Sequence, residues 1–143
     1  MKTIAPHVAR IVLGLAFLVF GLNGFLHFLP MPPPPPEAAG YLQFMTGSYL
    51  LTLVKATEVT VGLLLLSNRF VPLALIALLP VTVNIVLFHA TLEPASTLAL
   101  PLVLLGLQLF LAWTHRASYA PLFVASTGRA TGHSTRLATP AAT

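Results

Sequence analysis

The chain reads as an all-α, membrane-embedded four-helix bundle with both termini on the cytoplasmic side, and three observations predict it. Four apolar runs, at about 8–29, 47–66, 70–90 and 98–114, approach the roughly 20 residues a helix needs to cross a hydrocarbon core. The composition is 57% hydrophobic and only 7% charged, where an ordinary soluble domain carries about 25% charged residues. The basic residues also alternate between loops. Lys2 and Arg10 precede the first run, Arg69 separates the second from the third, and Arg116, Arg129 and Arg136 follow the fourth. Loops 30–46 and 91–97 have no Lys or Arg and hold Glu37 and Glu93. Six against zero is a strong positive-inside signal.

One transmembrane domain, 1–123, with a disordered cytoplasmic tail, 124–143, accounts for the length; the tail is poor in large apolar residues. The net charge of +4 would suggest nucleic acid in a soluble protein. Here six of the seven basic residues lie at span borders or in tails, so the partner they imply is the lipid bilayer and no nucleic acid is expected. With no cysteine, thiol chemistry and disulfides are excluded. No P-loop, dinucleotide fingerprint or HExxH is present. Accordingly no catalytic residue, no metal and no resident cofactor are expected.

The first run, ARIVLGLAFLVFGLNGFLHFL, follows Lys2 and Arg10 as a signal peptide would. It continues to Leu29 with no small-x-small cleavage site after it, so it reads as a retained span. Gly14, Gly21 and Gly24 mark a small-residue stripe, which serves either packing inside the bundle or a homodimer face. Asn23 and His27 are spaced i, i+4, which on a continuous helix puts them on one face.

Five prolines follow, Pro32 to Pro36, which predict a stiff polyproline II strap over the bundle mouth. A PxxP ligand for a cytoplasmic domain would lie on the wrong side. Glu37 suits the first turn of a helix, and Tyr41, Leu42, Phe44 and Met45 then read as the apolar face of a short interfacial helix.

The second run, LLTLVKATEVTVGLLLL, holds Lys55 and Glu58 in its middle. A charge at mid-span costs roughly 2.5–3.5 kcal/mol on insertion scales, whereas each large aliphatic residue returns about 0.3–0.6. Two charges therefore nearly cancel ten aliphatic residues unless they satisfy each other. Lys55 and Glu58, spaced i, i+3, can do so, although Lys before Glu is the weaker order and calls for further partners. Lys55 can snorkel outward; Glu58 has shorter reach and stays near the midplane. An ion pair that fixes helix register and a ligand site are both compatible with this pattern.

Ser67, Asn68 and Arg69 form a tight turn that makes spans two and three antiparallel neighbours. In span three, Pro72 sits in the first turn and Pro80 at mid-span, where it frees the carbonyl of Ile76 and predicts a kink. Asn84 lies a turn beyond. His89 is five residues further, about 140° round the helix, so the two do not share a face. Ser96 or Thr97 suits the N-cap of span four, which carries Pro101, Gln108 and, as an interfacial anchor, Trp113.

The candidate site residues are therefore Glu58, Lys55, Asn23, Asn84, His27 and His89, all at or outward of the midplane, with Asn23 and Asn84 about 6–8 Å from it. They either line a pocket opening outward or satisfy one another. His27 and His89 are at matching depth on different helices, the minimum for a haem.

Taken together, GLNGFLHFLPMPPPPPEA, KATEVTVGLLLLSNRFVPLAL, PVTVNIVLFHATLEPA and the WTHR exit from span four resemble the DoxX family of small four-helix membrane proteins. The resemblance covers about residues 8–123 and rests on Asn23, Pro30, the proline loop, Glu58, Asn84, His89 and Pro94 in order. It implies a bacterial cytoplasmic (inner) membrane protein. Some relatives were named as subunits of quinone-linked oxidoreductases, and distant eukaryotic ones act as receptor-assembly chaperones or cargo receptors. The cysteines of the redox relatives are not matched, and Lys55 is not part of the family pattern. The expected function is binding of a membrane-protein partner, a second copy, or a small lipophilic ligand through the polar cluster. The alternative is an accessory subunit of a quinone-linked complex, with quinone or haem as cofactor.

Overall fold

Helices with apolar residues on every side bury only part of their surface in one another, and the rest must face a lipid-like medium. The computed structural model, which describes residues 4–124, has this form. Its elements are α1 (Ile4–Leu26), α2 (Pro36–Thr46), α3 (Tyr49–Leu66), α4 (Val71–Thr91), α5 (Ala99–Thr114) and the single turn α6 (Arg116–Tyr119). Short 3-10 turns occupy Ala95–Thr97 and Ala120–Phe123. Four segments, Ile4–Leu26, Tyr49–Leu66, Val71–Thr91 and Ala95–Thr114, have the length and mean hydropathy (1.7 to 2.4) to cross a membrane. Leu15, Leu53, Leu73, Leu87 and Leu109 are among many large apolar side chains left exposed on the outside of the bundle. The tail expected beyond Phe123 lies outside the described residues, Val124 excepted.

Backbone chemistry sets the helix ends. The first span stops at Leu26, three residues short of expectation, because His27 turns into the left-handed region (φ 51°) and its N–H bonds the Asn23 carbonyl. Ser48 caps α3, accepting from the Leu50 amide. At the other end of α3, Asn68 is left-handed (φ 55°), and the Asn68 and Arg69 amides return to the Leu65 and Leu64 carbonyls. That is a Schellman closure with Asn in the position usually taken by Gly. Helix α4 runs through Pro80 without a break. The cap expected for span four is not used. Ser96 and Thr97 fall in a 3-10 turn, where the Thr97 hydroxyl donates to the Pro94 carbonyl, and α5 starts after Leu98 with no side-chain cap. The proline loop is extended, with Pro35 at φ −63° and ψ 155°, and leads into α2. On α2, Ala38 and Met45 are buried and Tyr41 and Leu42 half-buried, but Phe44 points away from them and is exposed.

Helices α1 and α3 make the closest pair. A Cβ on Gly62 would stand 2.7 Å from the Leu18 nitrogen and 2.9 Å from the Gly14 carbonyl oxygen; one on Gly21 would stand 2.9 Å from the Val59 nitrogen. Gly14, Gly21 and Gly24 face Leu65 and Leu66, Glu58 and Val59, and Lys55 respectively, in antiparallel order. The stripe thus packs inside the bundle rather than on a free face. Leu13 and Phe17 of α1, Leu65 of α3, Leu75 and Leu78 of α4, and Leu104 and Leu111 of α5 complete one continuous core. At the arginine-bearing end, Arg10 Nη1 donates to the Leu65 and Leu66 carbonyls and ties α1 to α3. The Tyr119 hydroxyl donates to the Pro72 carbonyl (3.2 Å), and its burial raises the phenol pKa above the ordinary value.

Candidate functional site

A charged pair in the middle of an apolar helix needs space as well as a counter-charge, and α1 supplies the space. Gly24 leaves room for the Lys55 stem and Gly21 for the base of the Glu58 side chain. Within this slot Lys55 Nζ lies 2.8 Å from Glu58 Oε2. The Glu58 side chain is 1% exposed and that of Lys55 22%. The further partners that the weak sequence order called for are not found. Among the described residues no other side chain bonds either group.

Beside the pair lies a cavity of about 240 Å³, bounded by all four long helices and by the start of the proline loop. Phe17 and Phe20 of α1, Ile85 of α4, and Leu100, Pro101 and Leu104 of the last span form its apolar wall. Lys55, Glu58, His89 and Thr97 supply its polar groups, and Met31 adds a lining side chain from the start of the proline loop. A second, wider space of about 580 Å³ lies between Pro32–Pro35, Leu42, Phe88, Glu93 and Pro94. It shares Met31, His89 and Thr97 with the first, so the two meet at those residues.

His89 is held in one orientation. Its Nδ1–H donates to the Ile85 carbonyl (2.8 Å), because a carbonyl can only accept. Its Nε2 lies 3.6 Å from Glu93 Oε2, beyond hydrogen-bond length. Edge-on contact with Phe88, itself against Tyr41 of α2, fixes the ring further.

Three of the six candidate residues thus come together, Lys55, Glu58 and His89. The other three stand elsewhere. Asn23, 9% exposed, accepts the Leu29 amide on its Oδ1 (2.7 Å) and so holds the exit from α1 into the proline loop. His27, past the helix end and left-handed, is exposed and does not share a face with Asn23. Asn84 is exposed on α4 and donates to the Tyr41 hydroxyl (2.8 Å), docking α2. No hydrogen bond joins Asn23 to Asn84, and His27 lines neither of the two spaces that His89 lines.

Sequence reasoning did not find the aromatic and aliphatic wall, since nothing marks Phe17, Phe20 or Leu104 apart from other core residues. Gln108 was noted without a role. It is buried, and its Nε2 donates to the Leu75 carbonyl (2.9 Å), next to the Ile76 carbonyl that Pro80 deprives of a donor. Its Oε1 has no partner among the described residues.

The arrangement is a multi-pass membrane bundle with a capped, mostly apolar cavity and one ion pair at its side. The DoxX family model matches residues 5–90, more than half of the chain, and the chain belongs to that family. No curated protein matches it, and no solved structure does.

Proposed function

We propose that this DoxX family protein binds a small, uncharged lipophilic molecule in the cavity beneath the proline loop. The observation that carries the reading is the Lys55–Glu58 pair set in the wall of a cavity that is otherwise largely apolar. Small-molecule sites are typically about 300–1,000 Å³, mainly apolar, with a few placed polar groups. The chamber beside the pair falls just below that range alone and within it when joined to the space under the prolines. The pair is neutral as a whole, which favours an uncharged ligand. Such a ligand would place its apolar body against Phe17 and Leu104 and one hydrogen-bonding group at Glu58 and Lys55. Asn23 would act indirectly by setting where the loop begins.

In this reading the arginine-bearing end faces the cytoplasm of a bacterial cell and the proline loop the outside of its inner membrane. Reporter fusions after Leu66 should read cytoplasmic and at Glu37 external; the reverse result would invert the site.

Ligand binding is tested by native mass spectrometry of gently purified protein. A stoichiometric small apolar molecule should leave with the wild type and be missing from the folded Lys55→Met/Glu58→Gln double variant. A wild type without any such molecule, or a double variant that keeps it, removes the reading. A stoichiometric haem or flavin absorption spectrum would make the chain a redox subunit instead.

A further inference from the structure

We propose that the arginine-bearing end of the bundle holds a phosphate-binding site, of the chemistry presented by an anionic phospholipid headgroup, where α1, the α3–α4 turn and α5 meet. A cavity of about 240 Å³ opens there, lined by Pro6, His7, Arg10, Asn68, Thr114 and His115. It is unlike the chamber under the prolines: no Leu, Ile, Val, Met or Phe lines it, and all but Pro6 carry hydrogen-bonding groups. Two of these are already committed. The Thr114 hydroxyl donates to the Leu111 carbonyl (2.7 Å), and His115 Nδ1–H donates to the same carbonyl (2.9 Å), so Thr114 serves as wall and His115 keeps only its Nε2.

Arg10, His7, Asn68 and the Nε2 of His115 are the groups left to face a ligand. Arg10 spends Nη1 on the Leu65 and Leu66 carbonyls, and among the described residues its Nε and Nη2 have no partner. A guanidinium held on one side and open on the other presents a preoriented fork to an oxyanion. No hydrogen bond to the His7 ring or to the side-chain amide of Asn68 occurs among the described residues.

Charge selects the sign of the ligand. The three acidic side chains of the whole sequence are Glu37, Glu58 and Glu93. Glu58, the nearest along α3, is two helical turns, about 10 Å, from Leu65 and is neutralised by Lys55. Arg69 and Arg116 add exposed positive charge at the same end. Depth selects the source. Trp113 adjoins Thr114 and is 69% exposed, and interfacial tryptophans sit at the level of lipid headgroups. A phosphate borne by a lipid would reach the cavity at its own depth.

Trp113 is the sole tryptophan and makes the test direct. The protein is placed in phosphatidylcholine bilayers containing a minor fraction of brominated phosphatidylglycerol or, in parallel, brominated phosphatidylcholine, and Trp113 quenching is measured. About fivefold preference for the anionic lipid is expected, the scale of one basic contact at a membrane surface. The His7→Ala/Asn68→Gly variant should lose at least half of it. Gly accepts the left-handed turn and Arg10 keeps its tie to α3, so the fold survives. Arg10→Gln should abolish the preference. Competition by millimolar inorganic phosphate would assign the same site to free phosphate. Equal quenching by both lipids overturns the site, as does a preference unchanged in the double variant, which would trace to exposed Arg69 and Arg116 alone.

Discussion

The bundle is made of two helix pairs built on different principles. In α1–α3, Gly14, Gly21 and Gly62 let the backbones approach until an added Cβ would collide with main-chain atoms. In α4–α5, Leu75, Leu78, Leu104 and Leu111 fill the core with large side chains, and the glycine of α5, Gly106, faces open space. The tight pair carries the charges and the aromatic part of the wall, Phe17 and Phe20, and the looser pair carries Ile85, Leu100, Pro101 and Leu104, with the cavity between them. Small residues are what permit an ion pair at mid-span. They bring a second helix close enough to bury Glu58 while leaving the Lys55 stem a path outward.

The largest expected effect breaks the tight pair from within. Glu58→Gln leaves Lys55 without its counter-charge in a buried setting, a change that typically costs about 3–5 kcal/mol. Adding Lys55→Met should restore most of the loss, because both desolvation penalties then vanish. Thermal unfolding in detergent checks this. If Glu58→Gln alone is mild, the carboxylate is not working as half of an ion pair.

Next in size, Gly62→Leu should drive α1 from α3 and cost about 1–3 kcal/mol or more, since overpacking meets backbone that cannot yield. Gly106→Leu in the other pair should leave the melting temperature within experimental error. Equal effects from the two would dissolve the contrast.

A smaller effect separates the entry to the proline loop from the pair itself. Asn23→Ala strands the Leu29 amide and should cost about 1 kcal/mol. Hydrogen exchange at Leu29 should rise while exchange in the middle of α3 stays unchanged. Protection at Leu29 that survives the substitution would mean that another group holds the loop.

The smallest effect, and the one of opposite sign, concerns the looser pair. Gln108→Leu forfeits one hydrogen bond and also removes an unpartnered buried oxygen, whose burial costs about 1–3 kcal/mol. The Leu75 carbonyl keeps its place in the helix ladder. Stability in detergent should be unchanged or slightly higher. A marked loss would show that Oε1 has a partner, such as a bound water.

How much of this could be read beforehand follows from the range of the forces involved. Hydropathy, proline and glycine positions act locally. The four spans, the Asn68 turn, the extended proline loop with α2 after it, and the Lys55–Glu58 pairing were therefore legible within a residue or two at most boundaries. The first span was the exception: α1 starts about four and ends about three residues before its expected bounds, and the left-handed turn at His27 rather than apolar content sets its end. The site was legible only in part, for the same reason. Lys55 and Glu58 stood out because charge is rare in such a chain, His89 because of its depth near the outer end of a span, and these three do meet. Asn23 and Asn84 stood out equally, and depth alone placed them beside the others. Depth along a helix is a sequence property, at 1.5 Å per residue. Azimuth relative to three other helices is not. Which face of α1 meets α3 was settled by glycines on both helices acting together, and that rotation decided that Phe17 and Phe20 line the cavity and that the glycine stripe is spent inside the bundle; the docking of α2 on α4 decided that Asn84 turns to Tyr41.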